Sequence, residues 1–185
     1  TDTFTITPSG GSATDAFAGS EQSAKEVASA INLVTGTTGV SATAYTAAHI
    51  GRMTDNESAV FVLNGVTLAS TNLSTQKAEF VARVNAGTAT HGVVASQDTA
   101  TTILLVASDG RNIELERTDT GTSSNYVTVQ TLNSSNASPA TASNIGGTAY
   151  TTEFVAVKGQ ITLTSSNDFA VTETGTDAKQ FFATA

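Results

Sequence analysis

The 185-residue chain has no cysteine, no tryptophan, one methionine and two prolines. Without cysteine there is no disulfide framework, no thiolate nucleophile and no thiolate zinc site. It also leaves nothing for air or peroxide to oxidise at a thiol. Basic residues are scarce as well: 8 Lys plus Arg stand against 16 Asp plus Glu, for a net charge of −8. Such a surface repels phosphate backbones and anionic bilayers, so neither nucleic acid nor membrane is expected as a partner. No apolar run approaches the roughly 18 residues of a membrane span, and Thr1 to Ser20 lack the basic and apolar regions of a signal peptide. The chain opens without Met on a strand-like run at Phe4 and Ile6, which reads as a piece of a longer protein.

What fills the chain is small. Thr, Ala, Ser and Gly occupy 96 of the 185 positions, so bulky core material is rationed and its placement is informative. That placement repeats. Ser23 to Asn32 is followed seven residues after Asn32 by Gly39-Val40-Ser41-Ala42; Gln76 to Asn85 is followed at the same interval by Gly92-Val93-Val94-Ala95. Ala24, Val27, Ala28 and Ile31 lie at the i, i+3, i+4, i+7 spacing of a one-sided helix, and Phe80, Val81 and Val84 take the same offsets. Ser23 with Glu26 forms a capping box, and Ser74 is the candidate cap of the second helix.

Strand-like runs surround these helices. Ala59 to Leu63 and Val66 to Ala69 flank Asn64-Gly65, the dipeptide suited to a type I′ hairpin; Ile103 to Ala107 and Asn112 to Glu116 flank Asp109-Gly110. Glu114 and Glu116 then share one face as a solvated edge. Phe154 to Val157, Gln160 to Thr164 and Phe169 to Thr172 read as further hairpin strands. The expected class is α+β with a strand majority: small antiparallel modules with one short helix each, then an all-β C-terminal segment. Boundaries are expected at 1–58, 59–118, 119–149 (a Ser/Thr/Asn/Gly-rich loop or linker) and 150–185.

Chemistry-bearing patterns are thin. His49 and His91 have no carboxylate or second His at useful spacing and read as loop or partly exposed histidines. Gly36 to Gly39 and Gly146-Gly147 lack the Lys-Ser or Lys-Thr of a phosphate loop, and no Gly-x-Ser-x-Gly elbow occurs. Asp55/Glu57 and Glu114/Glu116 do not have the spacing of a calcium loop. Sequons at Asn56, Asn72 and Asn133, with a fourth at Asn136 disfavoured by Pro139, matter only if the chain meets a glycosylation machinery. No catalytic, cofactor-binding or metal residue is singled out, and a non-enzyme is expected.

The repeated phrase, a helix ending in Ile-Asn or Val-Asn, a Gly-Val strand start and then Ser-Asp-Gly-Arg-Asn-Ile, resembles the small "flagellin hook IN" unit of bacterial flagellins and hook-associated proteins. Residues 60–116 carry it best; 4–58 hold a looser copy, with Thr54-Asp55-Asn56-Glu57 in place of the Asp-Gly turn, and Ile161 to Thr174 resembles a closing hairpin. The resemblance implies a secreted, extracellular structural part of a motility filament: its variable, antigenic outer region. Its partners would be neighbouring subunits, held through terminal helices absent from this chain, and the isolated piece would be monomeric. Two other readings stay open: a phage or virion surface or tail domain, and a glycan-binding adhesin module using Tyr45, Tyr126 and Tyr150.

Overall fold

A computed structural model describes residues 2–19, 23–51, 58–119, 126–133, 135, 137, 142–146 and 152–174. They divide into two compact units that are not consecutive in the chain. The first draws on 1–45, 108–111 and 158–185, and the second on 46–107 and 112–157.

In the first unit, β1 (Asp2–Pro8) is the middle strand of a three-stranded antiparallel sheet, between β2 (Thr14–Gly19) and the last strand, β13 (Phe169–Thr174). Phe4 and Ile6 alternate with Thr3, Thr5 and Thr7, which puts one apolar face inward. Helix α1 (Ala24–Leu33) lays Ala24, Val27, Ala28 and Ile31 into the same core, with Val40, Ala42 and Ile161. Its start is the expected capping box: Glu26 N–H donates to Ser23 Oγ, and Ser23 N–H to Glu26 Oε2. After the single turn α2 (Thr35–Thr38), β3 (Val40–Gly51) begins; its first six residues pair with β12 (Gln160–Ser165).

The second unit has two antiparallel sheets over one core. One sheet takes the remainder of β3, in the order β10 (Ser143–Gly146), β9 (Tyr126–Leu132), β3, β7 (Ile103–Ala107), β6 (Val94–Gln97). The other runs β11 (Thr152–Val157), β8 (Ile113–Asp119), β4 (Ala59–Leu63), β5 (Val66–Thr71). Helix α3 (Lys77–Ala86) and the turn α4 (Thr88–His91) complete it, with Phe80 and Val84 fully buried.

The α+β reading is therefore corrected. The described residues are mostly antiparallel strand, 54% against 20% helix, in three sheets with four short helices. Each repeat carries two helical pieces, not one. Among the described residues there is no separate C-terminal β segment: β11 pairs with β8, β12 with β3 and β13 with β1. The boundaries at 58, 118 and 149 do not match the units either. The stretch expected to be linker holds β9, whose Val127, Val129 and Leu132 face inward between polar neighbours, and β10.

Among the expected hairpins, Asn64-Gly65 turns as predicted, with φ of 46° and 78° and Leu63 opposite Val66. The Asp109-Gly110 hairpin is corrected: β7 pairs with β3 and β6, whereas β8 pairs with β4 and β11, so that turn passes the chain from one sheet to another. Likewise β11, β12 and β13 join three different partners. Because β8 is an interior strand, Glu114 and Glu116 lie on a sheet face and not on an edge.

Candidate functional site

The repeated helix and strand meet through a hydrogen-bonded clamp that occurs twice. Asn32, at the end of α1, donates from Nδ2 to Ala42 O (2.9 Å) and accepts at Oδ1 from Ala42 N–H (2.8 Å). Asn85, 53 positions later at the end of α3, makes the same two bonds to Ala95, at 2.9 and 2.8 Å. A primary amide is the side chain that offers a donor and an acceptor in the geometry of a peptide group, so each Asn acts as one extra rung of β-ladder. Thr35 and Thr88 repeat as well, donating to the carbonyls of Val40 and Val93 at 2.8 and 2.9 Å. Gly39 and Gly92, at φ 67° and 75°, make the left-handed turn that starts each strand.

His49 is partly exposed but lies in a strand, and His91 is buried at the end of a helical turn. His49 lies mid-strand in β3, with Nε2 3.1 Å from Asp98 Oδ2 at the end of β6, a carboxylate 49 positions away that no local spacing could indicate. His91 ends α4 with 1% exposure. Among the described residues, no group of three His, Asp or Glu side chains is placed to hold a metal ion. No protein-family model matches the chain, and no curated protein is similar to it.

The strongest electrostatic cluster is in the first unit. Arg111 holds Asp109 through Nε and Nη2, Lys25 Nζ reaches Asp109 Oδ2 at 2.7 Å, and Gly110 O accepts from Lys25 N–H. The Arg111 guanidinium, and secondarily Lys25, hold the Asp109 carboxyl well below the usual carboxylate range against a partial burial that works the other way. A carboxyl lowered in the fold supports the folded state above its ordinary value of 3.8 and loses that support as pH falls below it. Asp109→Asn should therefore flatten the acid limb of the first unit's stability below about pH 4, as followed by circular dichroism. A limb identical to the parent's would show that the cluster contributes nothing.

In the second unit Arg83 donates to the carbonyls of Ala69 and Ser70 and to Thr71 Oγ1 while pairing with Glu79, tying α3 to β5. Arg117, 2% exposed, donates to Ile145 O at 3.2 Å. These cations serve backbone groups of the fold.

Tyr45 and Tyr126 are half-buried and belong to different units, and Tyr150 lies outside the described residues, as do Asp55, Asn56, Glu57 and Asn136. Among the described residues, an aromatic side chain that faces solvent is Phe154, 59% exposed on β11, because Val155 and Val157 take the inward phase of that strand. The sequons at Asn72 and Asn133 are built into turns. Asn72 Oδ1 accepts from the N–H groups of Ser74 and Thr75 ahead of α3, so Ser74 is not that helix's cap, and Asn133 Oδ1 accepts from those of Ser135 and Ala137.

Proposed function

We propose that the chain is a non-catalytic structural module, presented to solvent as an insertion within a larger subunit, and that this subunit belongs to a flagellar filament. The observation that carries the insertion reading is the pairing of β1 with β13: Thr3 stands directly opposite Thr174 in an antiparallel ladder. Facing residues in such a pair are about 5 Å apart at Cα. The first and last described strands of the first unit therefore lie side by side, an arrangement suited to a module grafted into a host.

Two further features support a structural role. The best-placed polar side chains, Asn32, Asn85, Arg83 and Arg117, are committed to backbone groups that lock helix to strand or strand to strand. A net charge of −8 and a Thr-rich surface suit dense packing in water, since like-charged neighbours repel and threonine supports strands without a large apolar patch. The filament assignment rests on the resemblance of residues 60–116 to the flagellin hook IN unit.

The test is to delete residues 2–174 from the parent gene and bridge the gap with a short Gly-Ser linker. Filaments should still assemble and appear thinner by electron microscopy. Loss of assembly would overturn the outer-module reading, and assembly of some other particle would overturn the filament assignment alone.

A further inference from the structure

Of the positions at which the two clamps differ, one pair changes their hydrogen bonds. In the first copy Val34 and Thr38 stand where the second copy has Gly87 and His91, again 53 residues on. Thr38 Oγ1 donates to Val34 O at 2.9 Å and accepts from Val40 N–H at 3.2 Å. In the second copy an imidazole takes over the acceptance, Val93 N–H donating to His91 Nδ1 at 3.1 Å, while its other nitrogen reaches a carbonyl one turn further back, Nε2 lying 2.9 Å from Val84 O. A carbonyl can only accept and a backbone N–H can only donate, so the proton sits on Nε2 and Nδ1 must keep its lone pair. Gly87 makes room for the ring: a Cβ there would lie 2.8 Å from Nε2.

We propose that His91 is an acid-sensitive latch built into the second unit, for which Thr38 in the first unit is the acid-insensitive counterpart. A hydroxyl oxygen accepts a hydrogen bond at any pH, whereas a ring nitrogen does so only while unprotonated. A second proton on His91 turns Nδ1 into a donor aimed at Val93 N–H and places a cation at a site 1% exposed. The bond lost belongs to Val93, which is fully buried and leads directly into edge strand β6. His91 O also accepts from Asn64 Nδ2, and Asn64 Oδ1 accepts from Glu114 N–H, so the latch reaches the β4–β5 turn and β8.

The charged residues on the packed elements are Lys77, Glu79 and Arg83 of α3 and Glu114, Glu116, Arg117 and Asp119 of β8. Lys77 bonds Ser74 O, Arg83 serves the β5 carbonyls and Glu79, and Glu114 is exposed. In sign, the folded state takes up fewer protons at this ring than the unfolded state, so stability is present above the ordinary histidine range and is lost as pH falls through it. The inference goes beyond the structural role proposed above and does not depend on it.

Amide exchange on the full chain tests it. Between pH 7.5 and 5, protection of the Val93 and Ala95 amides should fall about tenfold per pH unit below the ordinary value near 6.5, while Val40 and Ala42 hold theirs. Parallel behaviour of the two pairs would overturn the proposal. The double variant Gly87→Val/His91→Thr, which installs the first copy's pair, should remove the fall; a fall of unchanged steepness would count against the latch. The ring nitrogens of the unaltered chain give a reading that needs no variant. Nitrogen-15 spectra at neutral pH should show Nδ1 unprotonated, and a folded protein with both nitrogens protonated would overturn the idea.

Discussion

Phe80→Ala is expected to lower the stability of the second unit by about 3–5 kcal/mol, read as a drop in the denaturant midpoint. Phe80 is fully buried, at the position of α3 that corresponds to Val27 of α1, and its ring meets Phe61 edge-on with centroids 5.4 Å apart at 76°. Truncation removes the transfer gain of the ring, leaves a cavity between α3 and β4, and forfeits the aromatic pair, itself worth about 0.5–1.5 kcal/mol. Phe80→Val copies the first repeat and should recover part of the loss. A midpoint unchanged in Phe80→Ala would mean that α3 is not seated on this core.

The second large effect is expected at Gly110. Its φ of 79° is one that a side chain resists, and an added Cβ would stand 2.2 Å from Ala44 Cβ and 3.0 Å from Ala44 C. Neither atom is the end of a flexible chain, so backbone must move. The left-handed conformation costs a side-chain-bearing residue about 1–2 kcal/mol, and overpacking typically adds 1–3. The displaced group is also a cap: Gly110 O accepts from Lys25 N–H in the first turn of α1, an N–H with no partner inside its own helix. Gly110→Ala should thus cost about 3 kcal/mol or more by thermal or denaturant unfolding. Gly65→Ala is the control. Gly65 shares the positive φ, at 78°, but has open space around it, and its cost should stay near 1 kcal/mol. Equal losses at the two sites would refute the steric argument.

These two residues also mark what could be read from the chain and what could not. Phe80 was legible because helical periodicity and the 53-residue repeat both pointed inward at that position. The Ser23/Glu26 cap and the Asn64-Gly65 turn were legible for the same reason: each is settled by residues a few positions apart. Asp109-Gly110 fits a tight turn and so predicts a hairpin. A turn dipeptide specifies a local reversal of direction, however, and says nothing about which sheet receives the next strand. Here β7 and β8 find partners in different sheets. β9 has little signature in the sequence because Tyr126-Val-Thr-Val-Gln-Thr-Leu132 alternates apolar residues with threonine and glutamine inside a stretch whose average composition is that of a loop.

The histidines show the same limit in the candidate site. His49 gains Asp98 only through strand pairing, and His91 is buried because Gly87 vacates the space beside it; neither relation has a local signature. The clamp was half legible. The recurrence of Asn32 and Asn85 was plain, but that each amide reaches exactly ten residues forward to Ala42 or Ala95 required the folded chain.

The pairing of β1 with β13 has a consequence for the order of assembly during synthesis. As a ribosome releases the chain from its N-terminus, every strand of the second unit emerges before β12 and β13 do. The second unit can close while β1 still waits for β13, more than 150 residues away in sequence, and the start of β3 waits for β12, more than 110 away. Contacts at that separation form late, because the entropy of closing the loop is lost before the ladder repays it. Phe4, Ile6, Val27 and Ile31 therefore remain uncovered longest. On that interval the scarcity of bulky residues is protective, since a half-built sheet whose outer positions are threonine gives neighbouring nascent chains little to adhere to.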